Sequence, residues 1–310
     1  MSLRILAVAA LMLLANCSIA RPQLLPGFQK CEPFDEQVKW SRLDSGVRVF
    51  VDAPATLTAR LRVLFVFATP NGNTIEQTLG CTASKELDWR FDIQHIAAQM
   101  RRLREIDRDR EFVLAVVQAP KLSWPTFRRE QAGANTIIRD LVTSLTKEVS
   151  AERVVLTCHS GGGSFIFGYL NSVETLPPSL ERIVFLDANY SYSDDEHHGD
   201  KLLAWLKTDA VRRLAVIAYD DREITLGGKK VVGPDGGTFR ASQRMLNRFR
   251  RDVELTEREV GLFQHTSGLD GQLQFFVHPN PDNKILHTAL VGEMNGLLHG
   301  LTLEIGRAHV

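Results

Sequence analysis

The chain has 310 residues, 44% of them hydrophobic and 24% charged, with 37 basic against 37 acidic side chains. That apolar fraction with no net charge excludes a disordered chain and suffices for a full core in one large domain or two small ones. Neutrality argues against a nucleic-acid partner held by bulk charge, and four cysteines are too few for a disulfide scaffold.

At the N-terminus Arg4 precedes an apolar run, Ile5 to Ala15, and then Asn16-Cys17-Ser18-Ile19-Ala20. A positive start, a short hydrophobic stretch and small residues near the end predict a signal peptide over residues 1–20, cut before Arg21. The mature chain is then expected in the periplasm or outside the cell. The run falls short of the roughly 20 apolar residues that span a bilayer, so no membrane span is expected. Leu14-Ala15-Asn16-Cys17 also resembles a bacterial lipobox, which leaves a lipid anchor at Cys17 as the alternative. Of the remaining cysteines, Cys31 and Cys81 are the one pair considered for a disulfide, and Cys158 stands apart from them.

Val38 to Leu43 and Val47 to Asp52 read as short strands around the Asp44-Ser45-Gly46 turn. Leu61 to Ala68 and Glu111 to Gln118 are continuous apolar runs, the pattern of strands buried on both faces. Helical spacing of apolar residues covers Asp92 to Glu105 and Asn135 to Val149. A third buried strand, Arg153 to Thr157, leads into Cys158-His159-Ser160-Gly161-Gly162-Gly163, and Ser164 to Leu170 is helical in pattern. Strands over Arg182 to Leu186 and Leu214 to Ala218 flank a helix near Lys201 to Leu206. A basic helix over Gln243 to Arg251 follows, its arginines on a solvated face. Leu273 to Val277 and Ile285 to Val291 are the last strand candidates. Buried strands alternating with helices predict an α/β fold in one domain, its mostly parallel sheet covered on both faces, with every strand's carboxyl end on one edge.

Ile305-Gly306-Arg307-Ala308-His309-Val310 resembles a translated sequencing adapter, reading ATC GGA AGA GCA CAC GTC. The native reading frame is therefore expected to break near Leu303, with the domain over residues 21–304 truncated and residues 305–310 a non-native tail.

The segment around Ser160 carries the chemistry. A serine hydroxyl needs a neighbouring base to become nucleophilic. A tight turn between strand and helix exposes its oxygen and aims N–H groups at the oxyanion that develops. Such a turn demands small flanking residues, giving G-x-S-x-G; here Cys158 stands where the first glycine would be. With this motif, the chain resembles the α/β-hydrolase family over nearly its whole mature length: two antiparallel leading strands, strand–helix alternation, and the serine after the fifth strand. The loop Asn71-Gly72-Asn73-Thr74 resembles the His-Gly-Asn loop of haloalkane dehalogenase-like members. The resemblance implies the backbone N–H groups of Gly161 and Asn73 as an oxyanion hole.

In that family the base follows the last strand, which points to His299, with His287 as the alternative. The orienting carboxylate usually follows the strand at 214–218, which points to Asp221, with Asp220 second and Asp187, one strand earlier, as the rival. His159 reads as a pocket wall. Asp194-Asp195-Glu196-His197-His198-x-Asp200 fits no zinc spacing, and there is no P-loop, no G-x-G-x-x-G after a strand and no C-x-x-C, so no metal or organic cofactor is implied. The expectation is an exported serine hydrolase transferring the acyl group of a small or polymeric ester or amide through an open site. A non-catalytic binding protein of the same fold is the alternative.

Overall fold

The computed structural model describes residues 24–81, 84 and 94–303. The expected signal peptide, Cys17 and the expected non-native tail at 305–310 lie outside these described residues, which hold the elements that follow. Thirteen strands and eight α-helices follow in the order β1 Gln29–Cys31, β2 Glu36–Arg42, β3 Arg48–Pro54, β4 Leu61–Ala68, α1 Ile75–Leu79, α2 Ile96–Ile106, β5 Arg110–Gln118, α3 Trp124–Glu130, α4 Ala134–Glu148, β6 Arg153–His159, α5 Gly163–Asn171, β7 Leu180–Leu186, α6 His198–Leu206, β8 Arg213–Tyr219, β9 Thr225–Leu226, β10 Lys229–Lys230, α7 Thr238–Phe249, β11 Thr256–Val260, β12 Phe263–Gly268, β13 Leu273–His278 and α8 Gly296–Thr302.

Eleven strands join in one sheet in the order β1-β2-β3-β5-β4-β6-β7-β8-β13-β12-β11. The central six, β5 to β13, run parallel. The outer strands on both sides pair antiparallel. This is the α/β-hydrolase fold expected for the chain. Ser160 follows the sixth strand rather than the fifth, because the three-residue β1 precedes the leading hairpin.

The central strands are apolar on both faces because both are covered. Along β4, Leu64, Val66 and Ala68 enter a core with α3 to α7, while Val63, Phe65 and Phe67 enter a second core with α1, α2 and α8. Side chains alternate across a strand, so one unbroken apolar run serves two layers. Each large side chain fully buried in this way contributes about 1.5–3 kcal/mol.

Two segments differ from the sequence reading. Ile285 to Val291 is no strand: it forms turns, with Leu290 N bonded to Leu286 O, Gly292 N to Thr288 O and Met294 N to Ala289 O. Its apolar residues Leu290 and Val291 reach the core from irregular backbone. The last strands are instead the hairpin β11–β12 and β13, which the sequence reading had only in part. Cys31, Cys81 and Cys158 are all free thiols, so the Cys31–Cys81 pairing is not formed. No helix among the described residues is long and apolar enough to cross a membrane.

Candidate active site

Ser160 sits at the carboxyl end of β6 with φ 52°, a left-handed conformation that a serine adopts only where the surroundings enforce it. The enforcement is steric. A methyl group on Gly161 would meet the Asn71 side chain, one on Gly162 the carbonyl of Ala68, and one on Gly163 the carbonyl of Ala188. The turn is thus wedged between the ends of β4 and β7, and the three glycines are what allow that approach. Cys158, in the first-glycine position, is fully buried with its Sγ 3.8 Å from Val184 O, and burial pushes its thiol well above the ordinary value. It serves as a small apolar filler.

Strand register decides which carboxylate comes near. His159 pairs with Leu186 as the last rung of the parallel β6–β7 ladder, so Ser160 and Asp187 are the residues that follow the two paired strand ends. Asp187 is also left-handed, φ 45°, and its N–H is held by Ile217 O at 2.7 Å. One carboxylate oxygen, Oδ1, accepts from Thr238 Oγ1; the other, Oδ2, contacts Nδ1 of His287. Asp187 is buried, whereas the His287 side chain keeps 32% of its surface exposed. With Nδ1–H donated to the carboxylate, the bare lone pair of the imidazole is at Nε2. Burial raises the pKa of the Tyr190 hydroxyl above its ordinary range, against a hydrogen bond with the Ser160 side chain that lowers it, and the nearby Cys158 and Asp187 add to the rise.

The first choices from the sequence make other contacts, although Thr238 Oγ1 reaches Asp221 as well as Asp187. Asp221 accepts the backbone N–H of Thr238 at 2.7 Å and lies against Gly237. Asp220 is held by Arg222 at 2.6 Å, which lowers its carboxyl below the usual range. His299 is in the last turn of α8, facing an apolar cavity of about 250 Å³ lined by Ile217, Phe263, Leu290 and Met294. A buried carboxylate contacts an imidazole instead in the two alternatives, Asp187 and His287, with the His287 ring 4.4 Å from that of His159, the neighbour of Ser160. With the strand at 285–291 gone, His287 occupies the loop after the last strand, the position the family resemblance assigns to the base.

Of the loop that holds Asn73, it is the Asn71 side chain that packs against Gly161. The 71–74 loop leaves β4, Gly72 takes φ +80° with its N–H on Leu122 O at 2.9 Å, and Thr74 caps α1 through a reciprocal bond with Gln77.

A buried polar chain behind His287 was not foreseen. His159 Nε2 lies 2.9 Å from His287 O, the two rings are 4.4 Å apart, and Gln94 Nε2 contacts His159 Nδ1. Gln99 Nε2 donates to Gln94 O at 2.7 Å and Val291 O at 2.8 Å, while its Oε1 accepts from Leu298 N at 3.1 Å. The only sequence sign of this was polar Gln94 and Gln99 near the apolar stripe of one helix. The segment 194–200 is occupied locally: Asp194 accepts from Tyr192, Asp200 pairs with Arg248, and His198 bonds Asn171 at 2.9 Å.

No protein-family model matches the sequence, and no curated protein matches it. Among solved structures the chain is similar to a siderophore hydrolase from Aspergillus nidulans, at 12% identity and TM-score 0.45, over 91% of this chain and 97% of that one. It is similar to a cold-adapted esterase from an Arctic intertidal metagenomic library, at 10% identity and TM-score 0.45, over 90% and 97%. An S-formylglutathione hydrolase from Agrobacterium tumefaciens is similar at 11% identity and TM-score 0.45, over 92% and 100%.

Proposed function

We propose that the protein is an exported serine hydrolase that acts by acyl transfer on an ester or amide, with Ser160 as nucleophile, His287 as base and Asp187 as orienting carboxylate. The observation that carries this reading is the Asp187–His287 contact at the strand ends beside a serine strained into the left-handed turn. Ser160 Oγ attacks the substrate carbonyl as its proton passes to Nε2 of His287. Asp187 holds the ring in the required tautomer and stabilises the imidazolium. The N–H groups of Gly161 and Asn73 receive the oxyanion. The imidazolium returns its proton to the departing alcohol or amine, and a water deprotonated by His287 then releases the acid and frees Ser160.

The test uses a fluorophosphonate probe and a panel of acyl esters. Labelling and turnover should vanish in Ser160→Ala and His287→Ala and fall about ten-thousand-fold in Asp187→Asn, as for loss of the carboxylate from other triads. Asp221→Asn and His299→Ala should stay within about tenfold of the parent. A folded parent that neither labels nor turns over would instead support a binding protein built on the same fold. Collapse in Asp221→Asn and His299→Ala, with Asp187→Asn and His287→Ala active, would transfer both roles to the other pair.

A further inference from the structure

His287 stands on backbone that no sheet supports, yet a general base must hold its position to within a fraction of an ångström. The segment from Pro279 to Asn295 leaves β13 and returns through turns to α8. Its start is pinned by Asn280, whose Nδ2 donates to Asp220 O and Lys284 O, each at 2.9 Å. Its middle meets the side chain of His159 and its end that of Gln99, with Gln94 behind His159, all three 4% exposed or less.

We infer that Gln94, His159 and Gln99 form a buried polar clamp that positions His287 for proton transfer, His159 holding the backbone of the base from the residue next to the nucleophile. This rests on the Ser160–His287–Asp187 reading above.

The hydrogen-bond roles in the clamp are determined by elimination. His287 O can only accept, so His159 Nε2 carries the proton and donates to it. A neutral ring then has a lone pair at Nδ1, and the atom facing it is the Gln94 amide nitrogen, a donor. Gln94 is oriented in turn, since Gln99 donates to its carbonyl and to Val291 O with the two protons of one amide group. The bond from Gln94 requires an uncharged His159. Burial, with His287 adjacent, holds it well below its ordinary pKa, and a second proton would meet the Gln94 amide rather than an acceptor. His159 is therefore a fixed donor, not a second base. Its ring also lies against that of His287 at 4.4 Å, so it bounds the base from the side while holding its carbonyl. One turn of chain thereby carries the nucleophile at 160 and the anchor of its base at 159. A displacement of the elbow carries the base with it, which conserves their separation.

The test compares His159→Phe, which keeps an aromatic ring beside His287 and loses the donor, with His159→Gln, whose amide nitrogen reproduces that donor. On an acyl ester, His159→Phe should lose 10- to 100-fold in kcat with KM within about threefold, and the rate of fluorophosphonate labelling should fall in parallel. His159→Gln should recover kcat to within about fivefold of the parent. A merely structural residue would lower the melting temperature in both variants and leave the kcat of the folded fraction alone. Should His159→Phe not fold, Gln94→Met, which removes only the orienting donor, should lower kcat three- to tenfold. Parent-like kcat in His159→Phe, or in a folded Gln94→Met, overturns the clamp, as does a folded His159→Gln no better than His159→Phe. Ser160→Ala separates the two ideas. If it retains turnover, the triad reading falls and the clamp with it; if it is inactive while His159→Phe is parent-like, the clamp alone falls.

Discussion

Ser160 and Asp187 on one side of the site, and His287 on the other, are held by different physics. The first two sit at the ends of adjacent parallel strands, where the ladder from Val155–Arg182 to His159–Leu186 sets their spacing to within a hydrogen bond. Carbonyls of Ala68 and Ala188 close on the glycines between them. His287 has no such ladder and depends on side chains: Asn280 at the start of its loop, His159 in the middle and Gln99 at the end. Strand-end positions follow from sheet register, which many residues enforce together. Loop positions hang on a few buried polar bonds, each worth about 1 kcal/mol net and more when broken on one side only. Damage on the two sides should therefore look different.

The largest effect is expected at the strand ends. Gly163→Ala would drive a methyl group into the Ala188 carbonyl, and neither backbone can yield without parting β6 from β7. No folded protein should be recovered, as judged by near-ultraviolet circular dichroism and gel filtration; a cooperative melt within a few degrees of the parent would show that the elbow is slack. Next come two leucine truncations, one for each kind of support. Leu156, fully buried in β6, should cost about 2–5 kcal/mol as Leu156→Ala, seen in the urea midpoint, with kcat of the folded protein nearly unchanged. Leu290, in the loop that carries His287, already borders the cavity of about 250 Å³, so Leu290→Ala should cost about 2 kcal/mol, at the low end of that range. Its kcat should nonetheless drop about tenfold, because the loop that loses packing carries His287. Equal effects on kcat from both truncations would erase the distinction.

The same contrast governs what the sequence disclosed. Leu61–Ala68 was bounded to the residue, because an eight-residue apolar run ended by Thr69-Pro70 has few other readings. Ser160 was legible because small residues crowded between a buried strand and a helix signal a forced close approach. Asp187 and Asp221 were not separable, since each follows a buried strand, and only register and the reach of His287 distinguish them. His287 was misplaced for a physical reason. The run Ile285-Leu286-His287-Thr288-Ala289-Leu290-Val291 has the apolar content of a strand, but its apolar residues are buried by tertiary packing of turns. The strand Thr256–Val260 was missed for the opposite reason: nearly every residue is exposed, so no alternation marks it. The clamp residues were invisible as a set, being polar side chains from distant parts of the chain that meet only in the fold.

The smallest effect expected concerns Asp221 and sharpens the assignment of the acid. Burial, and then the charge of Asp187, raise its carboxyl from an ordinary 3.8 to about 6, against the backbone N–H bond from Thr238 that favours the charged form. A raised folded-state pKa means that the folded chain holds this proton more tightly than the unfolded one does. The stability it contributes is complete below about pH 4 and is lost as the pH rises through about 6. Two pH units set a ceiling of about 3 kcal/mol, reduced by whatever solvent screens the group. Asp221→Asn cannot ionise and still offers an oxygen to Thr238 N–H. It should therefore melt higher than the parent at pH 8 and no higher at pH 4, while kcat at pH 8 stays within about tenfold. Melting curves for the two proteins that run parallel from pH 4 to 8 would mean that Asp221 does not titrate there. A collapse of kcat would mean that Asp221, beyond β8, rather than Asp187, beyond β7, orients the base.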